Sequence, residues 1–137
     1  LAKLAKSYSD KGNLVPDVTT IEILESEVQK HSDINGVIYD GFPVSEGHCL
    51  IVPHRVYSDY FESTEDEVVG LQKLIIETKK LLDKKFQPKG YNVGINCGEV
   101  AGQTVPHVHI HLIPRYKGDM ENPRGGVRGV IPSKQKY

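Results

Sequence analysis

Three histidines alternate with aliphatic residues in His107-Val108-His109-Ile110-His111-Leu112-Ile113, directly after Gly102-Gln103-Thr104-Val105-Pro106. In an extended strand successive side chains point to opposite faces. The imidazoles would then share one face, and Val108, Ile110 and Leu112 the other. One face can enter a core while the other makes a site. Two imidazoles at i and i+2 can both ligate zinc. Catalytic zinc also needs a third protein ligand and an acidic group to orient a ligating ring. No His-Glu-x-x-His or cysteine pair is present, so His48, Asp40 or Glu99 could complete the set only if the fold brought them close. The other chemistry is nucleophilic. Neutral imidazole, with an ordinary pKa of about 6.5, attacks phosphorus and yields a phosphoramidate that water can cleave. Such a nucleophile needs one ring nitrogen free, the other held by a fixed acceptor, and donors around the phosphate oxygens. The Gly102-Gln103-Thr104 turn supplies an amide, a hydroxyl and backbone N–H groups. Plain solvated histidines are the bland alternative, and three on one face beside that turn argue against it.

The elements that must position these residues can be read from pattern. Val37-Ile38-Tyr39 is short, β-branched and aromatic, and Asp40-Gly41 with Pro43 ends it in a turn. His48 to Val52 is the next strand, stopped by Pro53, and the two read as an antiparallel pair across a loop of seven or eight residues. Thr64-Glu65-Asp66-Glu67 has capping-box spacing, and its three acids complement the helix dipole. Val68, Leu71, Leu74, Ile75, Leu81 and Leu82 predict an amphipathic helix to about Phe86, ended by Pro88 and Gly90. Tyr91 to Cys97 is a strand, Gly98 to Gly102 a loop, and Thr104 to Pro114 the histidine strand. Residues 19–30 fit helix and strand spacing equally, and residues 1–17 read as a loose arm. Asn122 to Gly129 is an irregular basic tail. Short strand-to-strand links and one long helix imply an antiparallel α+β domain rather than a doubly wound one.

With 137 residues the chain is expected to form one domain with a real core. A formal charge of −1 gives no global argument for nucleic acid or a membrane surface as partner. No apolar run reaches the roughly 18 to 20 residues of a transmembrane helix, and no signal peptide is evident. Cys49 and Cys97 lie far apart in apolar runs and read as small buried hydrophobes, which suits a reducing compartment and a cytoplasmic protein. The first residue is Leu, so the chain can be a piece of something longer.

The run from Gly102 to Ile113 resembles the histidine-triad (HIT) family, whose signature is His-φ-His-φ-His-φ-φ with φ apolar. Tyr39 to Pro53 is similar to the family's first hairpin, and Asn92-Val93-Gly94-Ile95-Asn96 to its next strand. The resemblance implies a HIT-like fold: an antiparallel sheet of about five strands, one long helix and a shorter N-terminal element. It covers about Gly36 to Lys117. Residues 1–33 match poorly and are taken as an arm before a single HIT domain over 34–137.

By that resemblance His109 would be the nucleophile on the α-phosphorus. The backbone carbonyl of His107 would hold its other ring nitrogen, and His111 would donate to a phosphate oxygen. Gln103 and Thr104 match phosphate-contacting positions, as does Asn96. His48 would lie near phosphate and ribose, Asp40 would hold the ribose hydroxyls, and Ile38 and Leu50 would pack against the base. His111, where the uridylyltransferase branch has Gln, points to the hydrolase side. Thr104 and the following Pro114-Arg115 resemble the dinucleoside polyphosphate hydrolases more than the nucleoside phosphoramidases, whose turn usually has Ser. The implied activity is cleavage of a diadenosine polyphosphate-like substrate through a nucleotidyl-histidine, by a homodimer that binds no membrane or nucleic acid. The alternatives are an adenosine 5'-phosphoramidase or a non-catalytic nucleotide-binding signalling module. No cofactor is required, although Mg²⁺ can travel with the polyphosphate. The N-terminal Cys-x-x-Cys of several bacterial relatives is missing, so no protein-bound metal is expected. Arg115, Lys117, Arg124 and Arg128 could neutralise distal phosphates or simply be solvated. His31 and His54 read as surface residues.

Overall fold

The structure, a computed structural model, describes residues 36–40 and 44–135, without the side chains of residues 37–40. The expected strands at 37–39 and 48–52 form β1 (Val37–Asp40) and β2 (Cys49–Val52), which pair antiparallel. Helix α1 spans Glu65–Phe86. β3 (Gly90–Ile95) and β4 (Ile110–Arg115) complete a sheet of order β1-β2-β4-β3 in which every described pairing is antiparallel. The chain is an α+β fold, with four strands among the described residues.

Helix α1 starts where the local chemistry requires. The Thr64 hydroxyl accepts from the Glu67 N–H at 3.2 Å, and the Glu67 carboxylate accepts from the Thr64 N–H at 2.7 Å. Two otherwise unpaired helix-end donors are thereby satisfied. At the other end Gln87 takes a left-handed φ of 50° and its N–H bonds the Asp83 carbonyl, just before Pro88. The buried stripe is Gly70, Leu71, Thr78 and Leu82. Val68 and Leu81, expected on that stripe, are 38% and 65% exposed.

Along β4 burial alternates. Ile110, Leu112 and Pro114 are buried, and His111, Ile113 and Arg115 lie on the other face. The inner set packs with Cys49, Ile51, Leu71 and Leu82, flanked by Leu74, Ile75, Phe86 and Tyr91. Each fully buried aliphatic side chain contributes about 1.5–3 kcal/mol. Cys49 is buried, as expected, whereas Cys97 is half-buried, and neither is in a disulfide. Among the described residues no helix is long and apolar enough to cross a membrane.

Candidate active site

The histidine strand is shorter than its sequence pattern. The ladder begins at Ile110, and residues 104–109 run ahead of it outside the sheet. The cause lies in the neighbours: β2 ends at Val52 before Pro53, β3 ends at Ile95, and Ile110 pairs with Ile51 and Ile95. With no partner strand beyond, the 103–109 segment is held by carbonyls of residues 53–58. The His107 Nε2–H donates to the Pro53 carbonyl at 3.1 Å, and the Val108 N–H donates to the Tyr57 carbonyl at 2.8 Å. Ring protons are assigned here by the partner, since a carbonyl can only accept.

His109 is held next. Its Nδ1–H donates to the His107 carbonyl at 2.7 Å, which fixes the tautomer and leaves the Nε2 lone pair free to react. His107 and His109 are both buried, at 3% and 8% exposed. The His111 ring stands edge-on to His109, with ring centres 5.2 Å apart. On its far side His111 Nδ1 lies 3.1 Å from His48 Nε2. If the His48 Nε2–H donates, His111 keeps its proton on Nε2, the one arrangement in which it can donate to a phosphate oxygen. Burial lowers the His48 pKa. Burial, then the charges of His109 and His48, push His111 down to about 4. At neutral pH both rings are therefore neutral.

The remaining expected residues fall around this row. Leu50 is buried opposite His111 in the ladder. Asn96 follows β3 and lies beside the turn: a Cβ on Gly102, whose φ is +88°, would sit 4.0 Å from the Asn96 amide nitrogen. Thr104 is exposed on that turn. The Gln103 amide is engaged within the protein. Its Oε1 accepts from the Gly98 N–H at 2.7 Å, and its Nε2 donates to the carbonyls of Ser58 at 2.8 Å and Val105 at 3.1 Å. Ile38 and Asp40 belong to β1, but their side chains lie outside the described residues, as does His31. His54 is half-buried rather than on the surface.

Arg115 is committed elsewhere. It grips Asp119 with Nε and Nη2, both at 2.8 Å, and donates to the Asn92 side chain at 2.5 Å. Its guanidinium holds the Asp119 carboxyl down to about 2. The basic tail forms short turns at Gly126–Val130 and Pro132–Lys134, with Arg124 and Lys117 exposed. Among the described residues no group of three or more His, Cys, Asp or Glu is arranged to hold a metal ion. The residues that the sequence reading missed are Pro53, Tyr57 and Ser58, because a carbonyl acceptor leaves no residue-type signal.

Three histidines run from a segment outside the sheet into β4 of an α+β domain, and one ring nitrogen of His109 is fixed by a backbone carbonyl. The HIT-domain profile matches residues 24–118, and the chain belongs to the HIT family. It is 34% identical over 94 residues to the asymmetrical bis(5'-nucleosyl)-tetraphosphatase of Schizosaccharomyces pombe, covering 69% of this chain and 52% of that protein. It is also 34% identical over 100 residues to the bis(5'-adenosyl)-triphosphatase of Dictyostelium discoideum, covering 73% and 67%. An uncharacterised HIT-like protein of Methanocaldococcus jannaschii is 46% identical over 79 residues, covering 58% and 60%. The chain thus spans about half to two thirds of these relatives' length. Among solved structures, a HIT family protein of Bacillus anthracis matches with a TM-score of 0.59 at 30% identity, covering 71% of this chain and 74% of that one. The Caenorhabditis elegans NitFhit protein matches with a TM-score of 0.59 at 31% identity, covering 72% and 24%.

Proposed function

We propose that this chain hydrolyses a dinucleoside polyphosphate at the α-phosphate through a covalent intermediate on His109. The observation that carries the reading is the 2.7 Å bond from His109 Nδ1–H to the His107 carbonyl. It orients the ring and leaves Nε2 as the nucleophile. Nε2 attacks the α-phosphorus, a P–N bond forms, and the bridging P–O bond breaks to release the remaining phosphates with the second nucleoside attached. Water then attacks the same phosphorus, the P–N bond breaks, and a nucleoside monophosphate leaves with the ring restored. His111 donates to a phosphate oxygen from Nε2, with His48 Nε2–H donating to its Nδ1. Asn96 and Thr104 border the phosphate, Asp40 takes the ribose cis-diol, and Leu50 and Ile38 take the base. Adenine dinucleotides are the favoured substrates, in keeping with the name of the Dictyostelium relative. The reacting groups are side chains, so the protein needs no cofactor of its own, and Mg²⁺ accompanies the polyphosphate.

The proposal includes a homodimer. β3 is an outer strand of the described sheet, and Val93 on it is 44% exposed, while Val69 and Ile76 on α1 are 52% and 46% exposed. A second copy can pair with that edge and cover those residues.

Acid-stable trapping is unsuitable for a P–N bond, so the direct test is an alkaline quench with diadenosine polyphosphate labelled at the α-phosphorus. Label is expected on wild type, and none on His109→Asn, whose turnover should fall by at least about 10³-fold. Full activity in His109→Asn would overturn the mechanism.

A further inference from the structure

We propose that Gln103 is a positioning residue that fastens the nucleophile-bearing segment to a strap formed by residues 53–58, and that it is not a ligand of the phosphate. A primary amide has two N–H donors. Both are used, on the carbonyls of Ser58 and Val105, while the amide oxygen takes the Gly98 N–H. Gly98 is held twice, because the Gln103 backbone N–H also donates to its carbonyl at 3.1 Å. The clasp sits where the chain needs one. Gly98 and Gly102 have φ of +84° and +88°, and the turn between them is a short 3-10 segment, Glu99–Ala101. Glycines at such φ leave a loop with many alternative conformations unless something selects one.

The strap is itself anchored. Arg55 holds the Glu67 carboxylate with two N–H donors at 2.8 Å and the Glu62 carbonyl at 2.9 Å. Its guanidinium lies 3.9 Å from the centre of the Tyr57 ring, and the Tyr57 hydroxyl bonds the Ser63 hydroxyl at 2.8 Å. The first turn of α1 is thus tied to residues 53–58. From there three carbonyls reach the catalytic segment: Pro53 to the His107 ring, Tyr57 to the Val108 N–H, and Ser58 to Gln103. Gln103 is the side chain that joins this strap to the 98–105 loop. Its effect on the reaction passes through the placing of His107 and His109, so its loss should lower kcat more than it raises KM.

The inference rests on the reading that the histidine row takes a nucleotide. The test uses the full ¹⁵N-labelled chain titrated with AMP. Signals of His111 and Asn96 are expected to shift, while the Gln103 side-chain N–H signals stay in place and slow to exchange. Movement of those signals in step with His111, or their loss of protection at saturation, would overturn the brace. If AMP shifts nothing, the nucleotide reading fails, and the brace is judged on the free protein. There Gln103→Glu keeps an acceptor for the Gly98 N–H but turns carboxylate oxygen toward the Ser58 and Val105 carbonyls. Amide exchange at Gly98 and Val108 should speed up about tenfold or more in that variant. Exchange at the wild-type rate would overturn the proposal. Folding of the variant is checked by an unchanged exchange rate in the middle of α1.

Discussion

Acid should weaken the folded protein through His111, and the amount can be worked out. Burial beside His48 and His109 lowers its pKa from an ordinary 6.5 to about 4. Between those two values the unfolded chain binds a proton at this site that the folded chain refuses, so stability rises with pH across the window. The stabilisation relative to acid is fully present above about 6.5 and is lost as pH falls to about 4. At about 1.4 kcal/mol per pKa unit the ceiling is roughly 3.4 kcal/mol. The ring is only partly buried, and solvent screens the exposed part, so about half of that is expected. By about pH 4.5 the loss due to His111 should be about 1–1.5 kcal/mol, most of the way to its limit. Urea unfolding of wild type and His111→Gln at about pH 7 and about pH 4.5 isolates the effect, because carboxylates common to both proteins cancel in the difference. Wild type should lose more than the variant by that amount. His48, whose pKa is lowered by burial alone, is present in both proteins and cancels with the carboxylates. Parallel pH dependence in the two proteins would refute the burial argument.

Thr64→Ala removes the hydroxyl that accepts from the Glu67 N–H and should cost about 1 kcal/mol of stability in urea unfolding, with no change in α1 beyond its first turn. The Arg55–Glu67 contact should survive it, since that pair does not depend on the hydroxyl. Light scattering should give a mass of twice 15.3 kDa for wild type. Val93→Arg, which puts a charge on the exposed strand edge, should shift it to the monomer. A wild-type monomer at micromolar concentration would remove the dimer from the proposal.

The elements that carry strong local signals were legible. Thr64 and Glu67 announce the helix start because the capping box is a bond between two side chains and two backbone groups only three residues apart. Leu71 and Leu82 show its buried stripe. β2 and β4 were legible from aliphatic runs that Pro53 and a turn cut short. The ends were harder. The alternation from His107 to Ile113 predicts one strand, yet a strand exists only where another strand offers a ladder, and the partners of β4 stop at Ile51 and Ile95. The helical spacing places Leu81 on the inner face, yet it is 65% exposed near the end of α1.

Spacing alone makes the three histidines alike, and what surrounds each one separates them. His107 contributes most through its carbonyl, which any residue could supply. A bare carbonyl in an unpaired segment could point anywhere. The His107 ring pins its own residue to the Pro53 carbonyl, and the neighbouring Val108 N–H is pinned to Tyr57, so the carbonyl is aimed at His109. His109 thus receives its orientation from a side chain two residues back, by way of the main chain. His111 is the first of the three inside the sheet, and its partner is His48, just ahead of β2, rather than the strap. The break between segment and strand, which the alternating pattern hides, lies between the proposed nucleophile, His109, and His111, the residue proposed to serve the phosphate. The two are oriented by different parts of the fold, so a change in the strap should misplace His109 while leaving the His48–His111 pair intact.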